Sequence, residues 1–272
     1  MKIMKRIILY VFTALTAAVI FASCSKDKID SPAFSKTFVI VHGAWQGPSE
    51  WLNVKAGLEA KGQKVILVQL AGHGKDQTDP SAITMDLYTD QVTTAINGVA
   101  GKVILVGHSL GGMVVSAVAE KIPAKIERLI YLAAYAPASG QSLLDLAQTD
   151  GKSLLSPALS FPTKYTIDVA HDQITNVFIQ DGTDAEKKQT LANYRVEPAI
   201  PFQQPVTLTA AAYGTVDKYY IHTLQDHVIS PDLQDRMVAA AGIKSVYYLN
   251  TSHSPFISKP DSVTTLLIKI AQ

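Results

Sequence analysis

The chain has 272 residues, 47% of them hydrophobic and 17% charged, a globular composition long enough for one α/β domain with a sizeable core. Twenty-four Lys and Arg against 23 Asp and Glu leave a formal charge of +1, a near-neutral balance that gives no electrostatic case for nucleic-acid binding, which needs a basic face. Cys24 is the only cysteine, so an intrachain disulfide is excluded.

The N-terminus reads as an export signal rather than as part of the fold. Lys2, Lys5 and Arg6 precede an uncharged apolar run over residues 7–21, and Ala22, Ser23 and Cys24 follow. A basic start, a short apolar stretch and small residues are the pattern of a secretory signal. The Phe21-Ala22-Ser23-Cys24 ending resembles a bacterial lipobox, which implies a signal peptide over 1–23 and a lipid on Cys24. An uncleaved anchor, or an ordinary signal with a chance cysteine, are the alternatives, though the run is short for a span of about 20 residues. Residues 24–36 are polar and aperiodic, a tether to the membrane. On this reading the protein is a lipoprotein of the bacterial cell envelope, on its periplasmic or outer-surface side.

Strands and helices then alternate. Residues 38–41 form an apolar run that ends at His42-Gly43 and reads as a strand buried on both faces. A helix over 51–60 stops at Lys61-Gly62. A second strand at 65–70, an amphipathic helix at 85–99 and a third strand at 103–106 come next. A small-residue helix spans 111–122, and a fourth strand spans 129–134. The rhythm changes at Pro137, and the stretch after it is punctuated by prolines 157, 162, 198, 201 and 205. Alternation resumes with a strand at 219–222, a helix at 231–241, a strand at 246–249 and a last helix at 260–270. This order predicts an α/β fold: a mainly parallel sheet with helices on both faces. The interruption at about 138–214 is far too long for a plain loop. It predicts a mostly helical cap over the C-terminal edge of the sheet, where open α/β sheets bind ligands.

Gly107-His108-Ser109-Leu110-Gly111 has the form G-x-S-x-G. A strand turning sharply into a helix holds such a serine in a strained conformation with Oγ exposed, and flanking glycines let the backbones approach. Chance alone gives the pentapeptide in roughly one chain in ten of this length. Here it directly follows an apolar strand and precedes a helix, the context that marks a nucleophile. The alternative is a Gly-rich turn binding an anion at a helix N-terminus.

With this arrangement the partners come in the order Ser, acid, His. Of the seven histidines, His42, His73 and His108 precede Ser109, His171 lies in the cap, His222 sits in a strand and His227 adjoins the candidate acid. His253 alone occupies a loop after a late strand, where a general base belongs. Asp226 comes after the strand at 219–222 and is the candidate acid. Its competitors are Asp217, before that strand, and Asp232, on the next helix. Two N–H donors for an oxyanion are expected from Leu110, after the nucleophile, and from Ala44, in the loop after the first strand.

Val41-His42-Gly43-Ala44-Trp45-Gln46-Gly47, the elbow at 107–112, and Tyr131-Leu132-Ala133-Ala134-Tyr135-Ala136-Pro137 together resemble the plant methylesterase and hydroxynitrile lyase group of the α/β-hydrolase superfamily. Thr223-Leu224-Gln225-Asp226 and Ser252-His253-Ser254-Pro255 are similar to it as well. The likeness covers nearly all of residues 37–272 and is weakest in the cap. It implies an α/β-hydrolase domain over 37–272 that cleaves small to medium carboxylic esters without a metal or cofactor. It also implies that Gly43, Ala44, Trp45 and Leu110 border the substrate. Phe161 and Phe178 either join that lining or are cap core, the commoner fate of a single aromatic. The lyases of the group carry threonine where this chain has Gly43, and lysine where it has Ser254. Both departures favour ester hydrolysis, since a leaving cyanide would lack its charge partner. The rival readings are a lyase on the same site and a lipoprotein that only binds an apolar ligand.

Overall fold

The computed structural model describes residues 35–272. The signal segment 1–23, the lipidation candidate Cys24 and the tether up to residue 34 lie outside the described residues. No helix among the described residues is long and apolar enough to cross a membrane.

Four strands open the domain: β1 (Thr37–Val41), β2 (Lys64–Val68), β3 (Val103–Ser109) and β4 (Ile126–Ala134). The cap contributes β5 (Leu159–Thr163), β6 (Thr166–Val169) and β7 (Glu197–Pro198), and the chain closes with β8 (Lys218–Thr223) and β9 (Ser245–Leu249). The main sheet runs in the order β2-β1-β3-β4-β8-β9, and every pairing in it is parallel. Its strands read as unbroken apolar runs because both faces are covered. Successive side chains point to opposite faces, so one strand feeds two cores. Val39 and Val41 join the core that includes Val92, Val114 and Leu233, while Phe38 and Ile40 join the core that includes Leu58, Val263 and Leu267.

The covering helices are α1 (Leu52–Ala60) and α10 (Pro260–Ala271) on one face, and α2 (Met85–Asn97), α3 (Gly111–Lys121) and α8 (Pro231–Ala240) on the other. Side-chain oxygens start two of them: Thr84 accepts from the N–H of Leu87 at 3.1 Å, and Ser230 from that of Leu233 at 3.2 Å. The predicted elements of the main sheet and its helices are all present.

The cap holds four short helices, α4 (Leu143–Ala147), α5 (Ile174–Phe178), α6 (Asp184–Asn193) and α7 (Ile200–Gln203). It also holds a three-stranded antiparallel sheet, β5-β6-β7, which periodicity did not reveal. β5 is mostly exposed, β6 has four residues and β7 only two, which leaves too little for two-residue alternation to register. The chain doubles back between β1 and β3: β2 lies to one side and all later strands to the other. The carboxyl ends of strands at such a switch point form a crevice, and Ser109 ends β3 there. The remaining short helix, α9 (Pro255–Ser258), comes just after His253.

Candidate active site

Ser109 sits at φ +52, a left-handed conformation uncommon for a residue with a side chain. The flanking glycines explain how the elbow tolerates it. A β-carbon on Gly107 would lie 2.6 Å from a Val115 methyl carbon, and one on Gly111 would lie 2.6 Å from the carbonyl oxygen of Val41. Beside it, β4 breaks register at Ala133, itself at φ +45. Tyr220 of β8 secures that break, its hydroxyl donating to the Ala134 carbonyl at 2.8 Å and accepting from the Ala134 N–H at 3.1 Å.

Asp226 and His253 meet as a buried pair, Nδ1 of His253 lying 2.8 Å from Oδ2 of Asp226. The carboxylate is saturated with donors. Oδ1 accepts from the backbone N–H groups of Val228 at 2.7 Å and Ile229 at 3.0 Å. Oδ2 also accepts from the Thr223 hydroxyl at 2.7 Å and the Gln234 amide at 3.3 Å. An ionised acceptor opposite Nδ1 puts the ring proton there and leaves Nε2 with its lone pair. The competitors lie elsewhere: Asp217 precedes β8, and Asp232 is engaged by Lys152 and Arg236 on the surface of α8.

Three histidines set aside by chain order surround the site. His108 donates from Nε2 to the carbonyl of His253 at 3.0 Å, joining the elbow to the histidine loop. The two rings lie 4.6 Å apart. Burial, with the neighbouring His253, holds His108 well below the usual histidine range, so it stays neutral. His42 accepts from the N–H of Leu70 at Nε2, 3.3 Å, and therefore donates from Nδ1 to the Gly43 carbonyl at 2.8 Å. Burial, assisted by His73, pulls its pKa down to about 3. A trans peptide points its C=O and N–H in opposite directions, so this bond turns the N–H of Ala44 away from His42. Neither that N–H nor the Leu110 N–H has a partner among the described residues.

Gly43 is a close approach. A β-carbon there would stand 2.7 Å from Nδ1 of His108 and 2.8 Å from Cβ of Ser109. The cap grips the same loop through Trp45, whose indole N–H donates to the Ile167 carbonyl at 3.2 Å and whose carbonyl accepts from the Arg195 N–H at 3.1 Å. An enclosed, mostly apolar cavity of about 50 Å³ adjoins Trp45, lined among others by Tyr135, Leu143, Leu155, Phe161, Phe202 and Val228. Of the two candidate cap aromatics, Phe161 is 68% exposed and lines this cavity, which rules out the core role. Phe178 is buried, 5.5 Å from the Trp45 ring and 6.2 Å from that of His253, and packs as cap core beside the site. Gly43 does not line the cavity. Among the described residues no cluster of ligating side chains is arranged to hold a metal ion.

Sequence order carried no hint of Thr223, Gln234 or His42 as supports, because each acts through a contact made only on folding. The G-x-S-x-G spacing itself marked the position of His108, whose partner lies 145 residues away.

The sequence profile described as "Alpha/beta hydrolase family" matches residues 38–265. A chloroplastic protein of Arabidopsis thaliana bearing a methylesterase name is 30% identical over 253 residues, spanning 87% of this chain and 72% of that protein. Methyl jasmonate esterase 1 of Vitis vinifera is also 30% identical over 253 residues, spanning 86% of this chain and 96% of the relative. Among solved structures, polyneuridine aldehyde esterase superposes with a TM-score of 0.80 at 22% identity, covering 88% of this chain and all of that one.

Proposed function

The chain belongs to the alpha/beta hydrolase family, in the group of the methylesterases, and from that premise we propose that it hydrolyses small to medium carboxylic esters through an acyl-enzyme on Ser109. His253 takes the Ser109 proton on Nε2 as Oγ attacks the ester carbonyl carbon. The N–H groups of Ala44 and Leu110 receive the oxyanion. As the tetrahedral intermediate collapses, the bond to the alcohol oxygen breaks and His253 returns its proton to the leaving group. Water then attacks the acyl carbon, His253 again taking the proton, and Ser109 leaves with a proton restored. Asp226 holds the imidazole tautomer and stabilises the imidazolium.

The buried Asp226–His253 pair at the strand ends beside Ser109 is the observation that supports this reading most. Gly43 weighs against the lyase reading, since a threonine at that position would collide with His108 and Ser109. Ser254, where the lyases have lysine, is buried and supplies no charge. A pure binding site would need no such set of groups. The enclosed, mostly apolar cavity beside Trp45 is small, about 50 Å³, which favours short acyl groups.

The test is release of p-nitrophenol from acetate, butyrate and octanoate esters by the wild type beside Ser109→Ala. Serine-dependent turnover, fastest with acetate, is expected. Half the activity surviving in Ser109→Ala would end the proposed mechanism. On the N-terminal pattern alone, we also propose that Cys24 carries lipid and ties the enzyme to the cell envelope; metabolic palmitate labelling lost in Cys24→Ala is the expected result.

A further inference from the structure

Glu197 of β7 is fully buried and has no part in the acyl-transfer steps above. Its Oε2 accepts from the backbone N–H of Trp45 at 2.6 Å and from Nε2 of His73 at 2.9 Å. Nδ1 of His73 in turn donates to the Ala71 carbonyl at 3.0 Å. With an acceptor opposite each ring nitrogen, His73 carries two protons and a positive charge. Burial opposes that charge, yet Glu197 holds the His73 pKa above the ordinary histidine value.

Fully buried ion pairs are weak devices for stability, because desolvation offsets their attraction. This one also secures a strained residue, since Trp45 sits at φ +59, where a bulky side chain is rare. Two consecutive peptides of the loop are thereby fixed. The Gly43–Ala44 peptide is held at its carbonyl by His42. The Ala44–Trp45 peptide is held at its N–H by Glu197. With Trp45's N–H taken by Glu197, the neighbouring Ala44 N–H has no acceptor among the described residues and is left to donate here. The His42 and His73 rings lie 4.8 Å apart, and charge on His73 favours the neutral His42 that the Gly43 and Leu70 contacts require.

We propose that Glu197 and His73 are positioning residues of the oxyanion hole, an ion pair between cap and core that clamps the Ala44–Trp45 peptide so that the Ala44 N–H faces an ester carbonyl oxygen on Ser109. The proposal rests on the esterase reading above. It makes the hole complete only with the cap seated, because Glu197 on β7 and the Ile167 carbonyl on β6 both reach Trp45 from the cap.

The test is Glu197→Gln, which keeps the shape and removes the charge. A neutral His73 has one N–H for two acceptors, so its contact with Ala71 or with residue 197 is lost. The expected result is a kcat about 10- to 100-fold lower, less than the loss from deleting a donor outright, with KM within threefold. Inhibition by a trifluoromethyl ketone, whose adduct on serine carries an oxyanion, weakens by the factor lost from kcat/KM. Competitive binding of a planar amide isostere of the substrate stays unchanged. A variant with a lower Tm but undiminished kcat and undiminished ketone affinity would show a purely structural pair and overturn the proposal. If the variant does not fold, ¹⁵N NMR of the wild type at pH 7.5 decides: His73 is expected with both ring nitrogens protonated, and a neutral His73 overturns the proposal. Failure of the esterase reading would show separately, as wild-type turnover that is absent or survives Ser109→Ala.

Discussion

Replacing Asp226 by asparagine probes the chemistry without altering shape. Oδ1 of Asp226 faces two backbone N–H groups, from Val228 and Ile229. Only the amide oxygen of an asparagine can satisfy both, so its NH₂ must take the place of Oδ2. There it meets Nδ1 of His253 and the Thr223 hydroxyl. The hydroxyl can turn to accept. The imidazole can adapt only by moving its proton to Nε2, and a ring protonated on Nε2 cannot take the proton of Ser109. The wrong tautomer in a comparable triad lowers kcat by about 10⁴, roughly 5.4 kcal/mol at 1.36 kcal/mol per tenfold. Hydrolysis of p-nitrophenyl acetate at saturating substrate gives kcat, and ¹⁵N NMR of labelled histidine gives the tautomer. Retention of kcat within tenfold in a folded Asp226→Asn would refute the reasoning, as would a His253 still protonated on Nδ1.

The histidines around the site set the pH dependence of stability. His42 is depressed to about 3, so from pH 6.5, where the unfolded chain is half protonated there, to pH 4.5 the unfolded chain takes up proton that the native state refuses, a loss of about 2.3 kcal/mol. His108, also depressed, adds to the loss. His73 is raised; its contribution is complete below the unfolded value near 6.5 and is lost as pH rises through the folded one. Urea midpoints should therefore fall on both sides of about pH 6.5, and a midpoint unchanged from pH 6.5 to 4.5 would contradict the neutral His42. Gly43→Ala should lower kcat by roughly 10²-fold by shifting the elbow at a stability cost of about 1–3 kcal/mol; wild-type kcat in this variant would mean the loop yields freely. Phe161→Ala, at a largely exposed position, should leave stability within about 0.5 kcal/mol. It should raise the octanoate-to-acetate ratio of kcat/KM several-fold, and an unchanged ratio would separate the cavity from chain-length selection.

Much of this site was legible along the chain. Apolar runs such as Val103-Ile104-Leu105-Val106 identify themselves as strands covered on both faces. The glycines at 107 and 111 mark the elbow because only residues without a β-carbon fit where Val115 and the Val41 carbonyl crowd in. Chain order and loop position alone singled out Asp226 and His253, which the fold then joins at 2.8 Å. Local geometry carries the strand and elbow signals, so a short window of sequence contains them, while the acid and base are read from their order along the chain. The cap sheet, the orientation of Gln234 toward Asp226, and the tie from His42 to His73 and Glu197 were not legible. Glu197 reaches Trp45 across 152 residues and His73 across 124, and no periodicity or spacing encodes a contact of that separation. Only the folded chain brings them together, where burial keeps His42 and His108 neutral and Glu197 holds the charge on the equally buried His73.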